Sequence, residues 1–146
     1  MPIRCGLFHA TLVVVNKSRR ELLLLHGDSL LRSYRIALGP NPSGAKTHEG
    51  DGKTPEGRYI IDRRNPRSAY HLALHISYPN CADRDRSRAL GLDPGGDVMI
   101  HGRPNGSARG TGLEADWTQG CIAVADEEMD EIWNLVADGT PIQINP

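Results

Sequence analysis

Tyr70-His71-Leu72-Ala73-Leu74-His75-Ile76-Ser77-Tyr78 alternates along its whole length. Tyr70, Leu72, Leu74 and Ile76 fall on one side, and His71, Ala73, His75 and Ser77 on the other. That two-residue period belongs to a β-strand and not to a helix. Working outward, Ala10 to Asn16 carries the apolar run Leu12-Val13-Val14-Val15, and Glu21 to Leu25 carries a second. The polar stretch Asn16 to Arg20 joins them as a hairpin turn. Ser29 to Leu38, Arg58 to Asp62, Val98 to His101, Gly120 to Val124 and Pro141 to Ile144 read as further strands. One helix is predicted over 126–137. Asp126 is a suitable N-cap, Glu127 and Glu128 suit the first turn, and Met129, Ile132, Trp133 and Val136 recur at helical spacing. The predicted fold is mainly β: mixed sheets or a sandwich with one helix packed on it. The 146 residues fit a single domain, with 1–9 as an N-terminal extension.

Composition narrows the function. Seventeen Lys and Arg against eighteen Asp and Glu give a net charge of -1. Nucleic-acid binding needs a clustered positive surplus, so no nucleic-acid partner is expected. Arg84, Arg86 and Arg88 alternate with Asp83 and Asp85, and Pro79 to Gly96 reads as a solvated loop. No apolar run reaches the roughly 18 residues of a membrane span, and none of signal-peptide length follows Met1. Three cysteines, Cys5, Cys81 and Cys121, leave at least one thiol unpaired and form no CxxC pair. The segment Gly39 to Gly57 is long for a plain connector and suggests a functional loop.

Cys121 lies in Asp116-Trp117-Thr118-Gln119-Gly120-Cys121-Ile122. The glycine lets the backbone approach a reacting group, and two backbone N–H groups around the cysteine can point at a developing oxyanion. A thiol of ordinary pKa needs an imidazole beside it to act as a nucleophile. His101 ends the strand Val98-Met99-Ile100 and stands twenty positions before the cysteine. Two antiparallel neighbours joined by such a loop bring both side chains to one sheet edge. An activated thiolate at Cys121 is then alkylated faster than Cys5 or Cys81. Taken alone, a cysteine is more often a small core residue and a histidine a structural one. His71 and His75 form H-x-x-x-H, but on a strand they stand about 13 Å apart, too far to share an ion. No metal site and no cofactor are expected. Gly50-Asp51-Gly52-Lys53-Thr54 lacks the spacing of a P-loop.

Three segments together carry a resemblance. Thr54-Pro55-Glu56-Gly57-Arg58-Tyr59 is similar to T-P-x-G-x-[FY]. Met99-Ile100-His101-Gly102 is similar to an I-H-G element. Thr118-Gln119-Gly120-Cys121-Ile122 is similar to [ST]-H-G-C-[IV]. In this order they resemble the L,D-transpeptidase catalytic domain, the YkuD-type family, in its YafK-like branch. The resemblance implies a metal-free Cys121–His101 mechanism acting on peptidoglycan stem peptides. The acyl group of stem residue 3 passes through a thioester to an amine, giving a 3-3 cross-link or protein attachment. Water as acceptor, giving a murein carboxypeptidase or endopeptidase, is the alternative; a non-catalytic peptidoglycan-binding module is a third. Gly102, Thr118, Gln119 and Gly120 shape the oxyanion site in this reading, and Tyr78, His75, Arg103 and Asn105 are candidate substrate contacts. Gln119 and Ala123 depart from the family's His and Arg, and Arg103 or Arg109 is the candidate replacement for that Arg. A monomer in the cell envelope or periplasm is implied. A cytoplasmic protein, or one without its leader, is the alternative location.

Overall fold

A computed structural model of the chain describes residues 9–107 and 115–146. Cys5, Arg109 and all but the last residue of the expected N-terminal extension lie outside the described residues. The apolar runs become strands whose alternate side chains enter one core. Val13 and Val15 of β1 (Leu12–Asn16) are buried, as are Leu22 and Leu24 of β2 (Glu21–His26). β3 (Ser29–Arg35) completes an antiparallel meander. Burying each such aliphatic side chain contributes about 1.5–3 kcal/mol.

β4 (Gly57–Ser68) is twice the length of most of its neighbours. Its first residues pair with β8 (Pro141–Asn145), and its later ones with β5 (His71–Ile76). The register shifts between Ile61 and Arg63, where a bulge bends the strand from one half of the sheet into the other. β6 (Met99–His101) pairs antiparallel to β5, and the two-residue β7 (Ile122–Ala123) follows it. The full order is β3-β2-β1-β8-β4-β5-β6-β7. Among the described residues a single core cluster draws on both halves, from Val13 and Leu24 to Ile100 and Ile122. The mainly β prediction therefore holds.

Three expectations change. β6 and β7 are parallel, Ile100 facing Ile122 and His101 facing Ala123. Parallel neighbours cannot be joined by a hairpin and require a crossover connection. A second helix, α1 (Cys81–Ala89), occupies the segment read as a solvated loop. Asn80 caps it: its side chain accepts from the Asp83 N–H, and the Asp83 carboxylate accepts from the Asn80 N–H. Only Asp83 and Ser87 of this helix are buried, so it has no apolar stripe to announce it. Finally, α2 (Asp126–Leu135) starts one residue earlier than an Asp126 cap implies, with Ala125 at the N-cap and Asp126 inside the first turn. α2 lies against β5, and Ala73 through Ile76 are all buried there. Both faces of that strand are thus covered, where the alternation suggested one.

Candidate active site

The segment around Cys121 is fastened at both ends by backbone hydrogen bonds. The Thr118 N–H donates to the Leu38 carbonyl at 3.0 Å, and the Ala123 N–H to the Ala37 carbonyl, also at 3.0 Å. Asp116, just upstream, accepts from the Leu38 N–H and from the Arg20 guanidinium. Within the segment, the Thr118 hydroxyl accepts from the Gly120 N–H at 3.1 Å and donates to the Cys121 carbonyl at 2.8 Å. The Gly120 N–H expected in an oxyanion hole is therefore committed to Thr118. The Cys121 N–H has no protein partner among the described residues. The Cys121 thiol is half-buried and donates to the Asp97 carbonyl at 3.3 Å.

His101 and Cys121 line one cavity of about 800 Å³. The imidazole is 4% exposed, and its Nδ1 lies 2.7 Å from the Gly102 carbonyl. A carbonyl can only accept, so Nδ1 carries the proton and Nε2 is left with its lone pair. Tyr70 stacks on the ring with centroids 4.4 Å apart, and Trp117 tilts against it at 5.7 Å. These aromatic rings fix the plane of the imidazole and shield it from water. Both also line the cavity. Sequence reasoning singled out neither for this role, because each reaches His101 only through the fold.

The loop 39–57 forms the facing wall through Pro40, Lys46, Glu49, Gly50 and Gly52. Asp51 organises it. Its carboxylate accepts from the Thr47, His48 and Lys53 N–H groups and from the Lys46 ammonium at 2.9 Å. Burial alone would raise the Asp51 pKa, but these four donors hold it well below the usual carboxylate range. Asp51→Ala is expected to lower stability at neutral pH by about 3 kcal/mol, because Lys46 is left buried without its partner. In the native protein the Asp51 contribution is complete above the ordinary carboxylate pKa and disappears as pH falls through the lowered one. Chemical denaturation of both proteins between pH 7 and pH 2 checks this. The difference in stability must shrink toward the acid end.

The family profile described as L,D-transpeptidase catalytic domain (YkuD) matches residues 10–144. This chain belongs to that family. It is 36% identical to YafK of Escherichia coli K12 over 110 residues, which is 73% of this chain and 37% of YafK. It is 25% identical to YkuD of Bacillus licheniformis over 139 residues, covering 92% of this chain and 65% of YkuD. Among solved structures, the helical cell shape determining protein Pgp2 of Campylobacter jejuni superposes with a TM-score of 0.71 at 27% identity. That match covers 94% of this chain and 48% of Pgp2. The chain thus spans well under half of YafK and about half of Pgp2.

Within this L,D-transpeptidase domain, four residues singled out for substrate binding lie away from the cavity lining. The Tyr78 hydroxyl donates to the Pro94 carbonyl, and His75 Nδ1 lies 2.6 Å from the Asp62 carboxylate. Arg103 is buried, with its N–H on Asp126 and its guanidinium on Glu127. Asn105 ties the β4–β5 turn, accepting from the His71 N–H and donating to the Ser68 carbonyl. Tyr78, His75 and Asn105 are thus engaged inside the protein, while the buried Arg103 Nε makes no hydrogen bond and lies 4.0 Å from the Asp126 carboxylate. Thr118, Gln119 and Gly120 do line the cavity, and Gly102 does not. A Cβ at Gly102 would stand 2.5 Å from the Asp126 carboxylate. The acidic first turn of α2 engages Arg103 and the Ala125 N–H, and Cys121 has its contact with Asp97 instead.

Burial pushes the Cys121 thiol above its ordinary pKa, and the Asp97 carboxylate adds to this against a backbone hydrogen bond from Met99. Burial also pushes His101 below its ordinary value, against the bond to Gly102. Both shifts favour a resting pair of neutral thiol and neutral imidazole. This reverses the expected order of alkylation. Iodoacetamide at pH 7 should modify the exposed Cys81 faster than Cys121, and the Cys121 rate should keep rising beyond the ordinary thiol range. Peptide-resolved mass spectrometry reads both rates. A Cys121 rate that is already flat at pH 7 would mean a resting thiolate.

Proposed function

We propose that Cys121 and His101 carry out cysteine-dependent acyl transfer on peptidoglycan stem peptides. His101 Nε2 takes the thiol proton as sulfur bonds to the carbonyl carbon of stem residue 3. The carbonyl oxygen becomes an oxyanion, and the Cys121 N–H is the donor available to it. Collapse breaks the bond to the terminal D-Ala, whose nitrogen receives the proton from the imidazolium. A thioester remains. An acceptor amine then attacks it, His101 takes the amine proton, and the departing sulfur recovers it. One acyl bond is exchanged for another, with no change of oxidation state.

The observation that supports this reading most is the shared cavity of Cys121 and His101, with the Nδ1 proton committed to Gly102. A role in cell shape, as the name of Pgp2 gives for that protein, is consistent with it. Water is the second acceptor. Among the described residues no arginine lines the cavity, and Ala123, at the position of the family's Arg, is fully buried in a bridge to Ala37.

Incubation with a defined tetrapeptide stem tests both. An acyl adduct on Cys121 with loss of D-Ala supports the mechanism. Cross-linked dimers identify an amine acceptor, and tripeptide alone identifies water. Binding without adduct or turnover would leave only the peptidoglycan-binding module.

A further inference from the structure

We propose that Thr54 is a positioning residue that aims the Cys121 N–H into the cavity. Thr54 belongs to the T-P-x-G segment, and nothing in the mechanism above gives it work. It is fully buried and absent from the cavity lining, so it does not touch substrate. Its hydroxyl donates to the Gly120 carbonyl at 2.7 Å across a sequence separation of 66 residues. That carbonyl and the Cys121 N–H are the two ends of one peptide unit. The unit is planar and trans, so its C=O and N–H point in opposite directions. Holding the carbonyl down against the buried Thr54 therefore turns the N–H up, toward the side where Gly120 and Cys121 line the cavity.

Two further contacts limit rotation of this peptide. A Cβ on Gly120 would stand 2.7 Å from the Lys53 carbonyl, and one on Gly39 would stand 2.9 Å from the Gly120 nitrogen. The backbone of the loop thus lies directly under the peptide. On its other flank Thr118 holds the Gly120 N–H and the Cys121 carbonyl. Without the Thr54 hydroxyl the Gly120 carbonyl has no partner among the described residues, and the peptide plane is free to tilt.

The inference rests on the proposed nucleophile, but its test does not need the natural substrate. Acylation of Cys121 by p-nitrophenyl acetate passes through an oxyanion. Alkylation of Cys121 by iodoacetamide does not. Thr54→Val keeps the shape and removes the hydroxyl, and Thr54→Ser restores it. In Thr54→Val the acylation rate should fall by about tenfold or more, the alkylation rate should stay within about twofold, and Thr54→Ser should recover acylation. Equal slowing of both reactions would mean that Thr54 only supports the fold. Unchanged acylation, or no acylation of Cys121 in the native protein, would equally overturn the proposal. Failure of the tetrapeptide reaction with an intact acylation-to-alkylation contrast would instead count against the substrate assignment alone.

Discussion

Cys121→Ala should show no measurable acyl transfer, and His101→Ala should be slower than the native protein by about 10²–10⁴-fold. The second figure follows from the state of the pair. With the thiol pushed up and the imidazole pushed down, little thiolate exists before substrate arrives. The proton must move during attack, so removal of the base acts on the reaction step itself. The acid limb of kcat/KM should lie below the ordinary histidine pKa, since His101 must be neutral to accept a proton. Turnover of a tetrapeptide stem, measured from pH 5 to pH 9, reads both effects. A His101→Ala protein that keeps most of its activity at pH 7 would exclude His101 as the base.

Gly120→Ala carries the other large effect. Gly120 has φ +129, a backbone region closed to most side chains, and an added Cβ would stand 2.7 Å from the Lys53 carbonyl. Strain and clash together should lower stability by about 3 kcal/mol, or roughly 10 °C in Tm. Gly139 supplies the control. It has φ +95 with open space around its Cα, so Gly139→Ala meets the conformational cost without the clash. The Gly120 variant should lose more stability than the Gly139 variant, and activity as well. Equal Tm values for the two would show that the loop yields to the new methyl group.

The strands were legible because their chemistry is local. Val13 and Val15, or Leu22 and Leu24, announce a buried face whatever lies opposite. Helix α1 was not, because its stabilisation comes from Asn80 and Asp83 rather than from an apolar stripe. The signal was the Asn80-x-x-Asp83 spacing, which in a Pro- and Arg-rich stretch reads equally well as a turn. The parallel pairing of β6 and β7 depends on which strand lies beside which, and periodicity says nothing about that.

The candidate site divides in the same way. Residue types and motif order pointed to His101 and Cys121. Thr54, Tyr70 and Trp117 act through contacts that join distant segments, as Thr54 does with Gly120. Arg103 shows the converse. Its guanidinium looked available in the sequence, but the fold commits it to Glu127.

The place of β8 has a consequence for biosynthesis. This strand, Pro141–Asn145, lies between β1 and β4, so the middle of the sheet is built from its final segment in chain order. During translation the meander of β1 to β3 can form early, but it stays unjoined to the remaining strands until Asn145 has left the ribosome. Val13 then meets Ile142 across a long sequence separation, a contact order that slows folding and leaves the meander's edge unpaired until synthesis reaches that point.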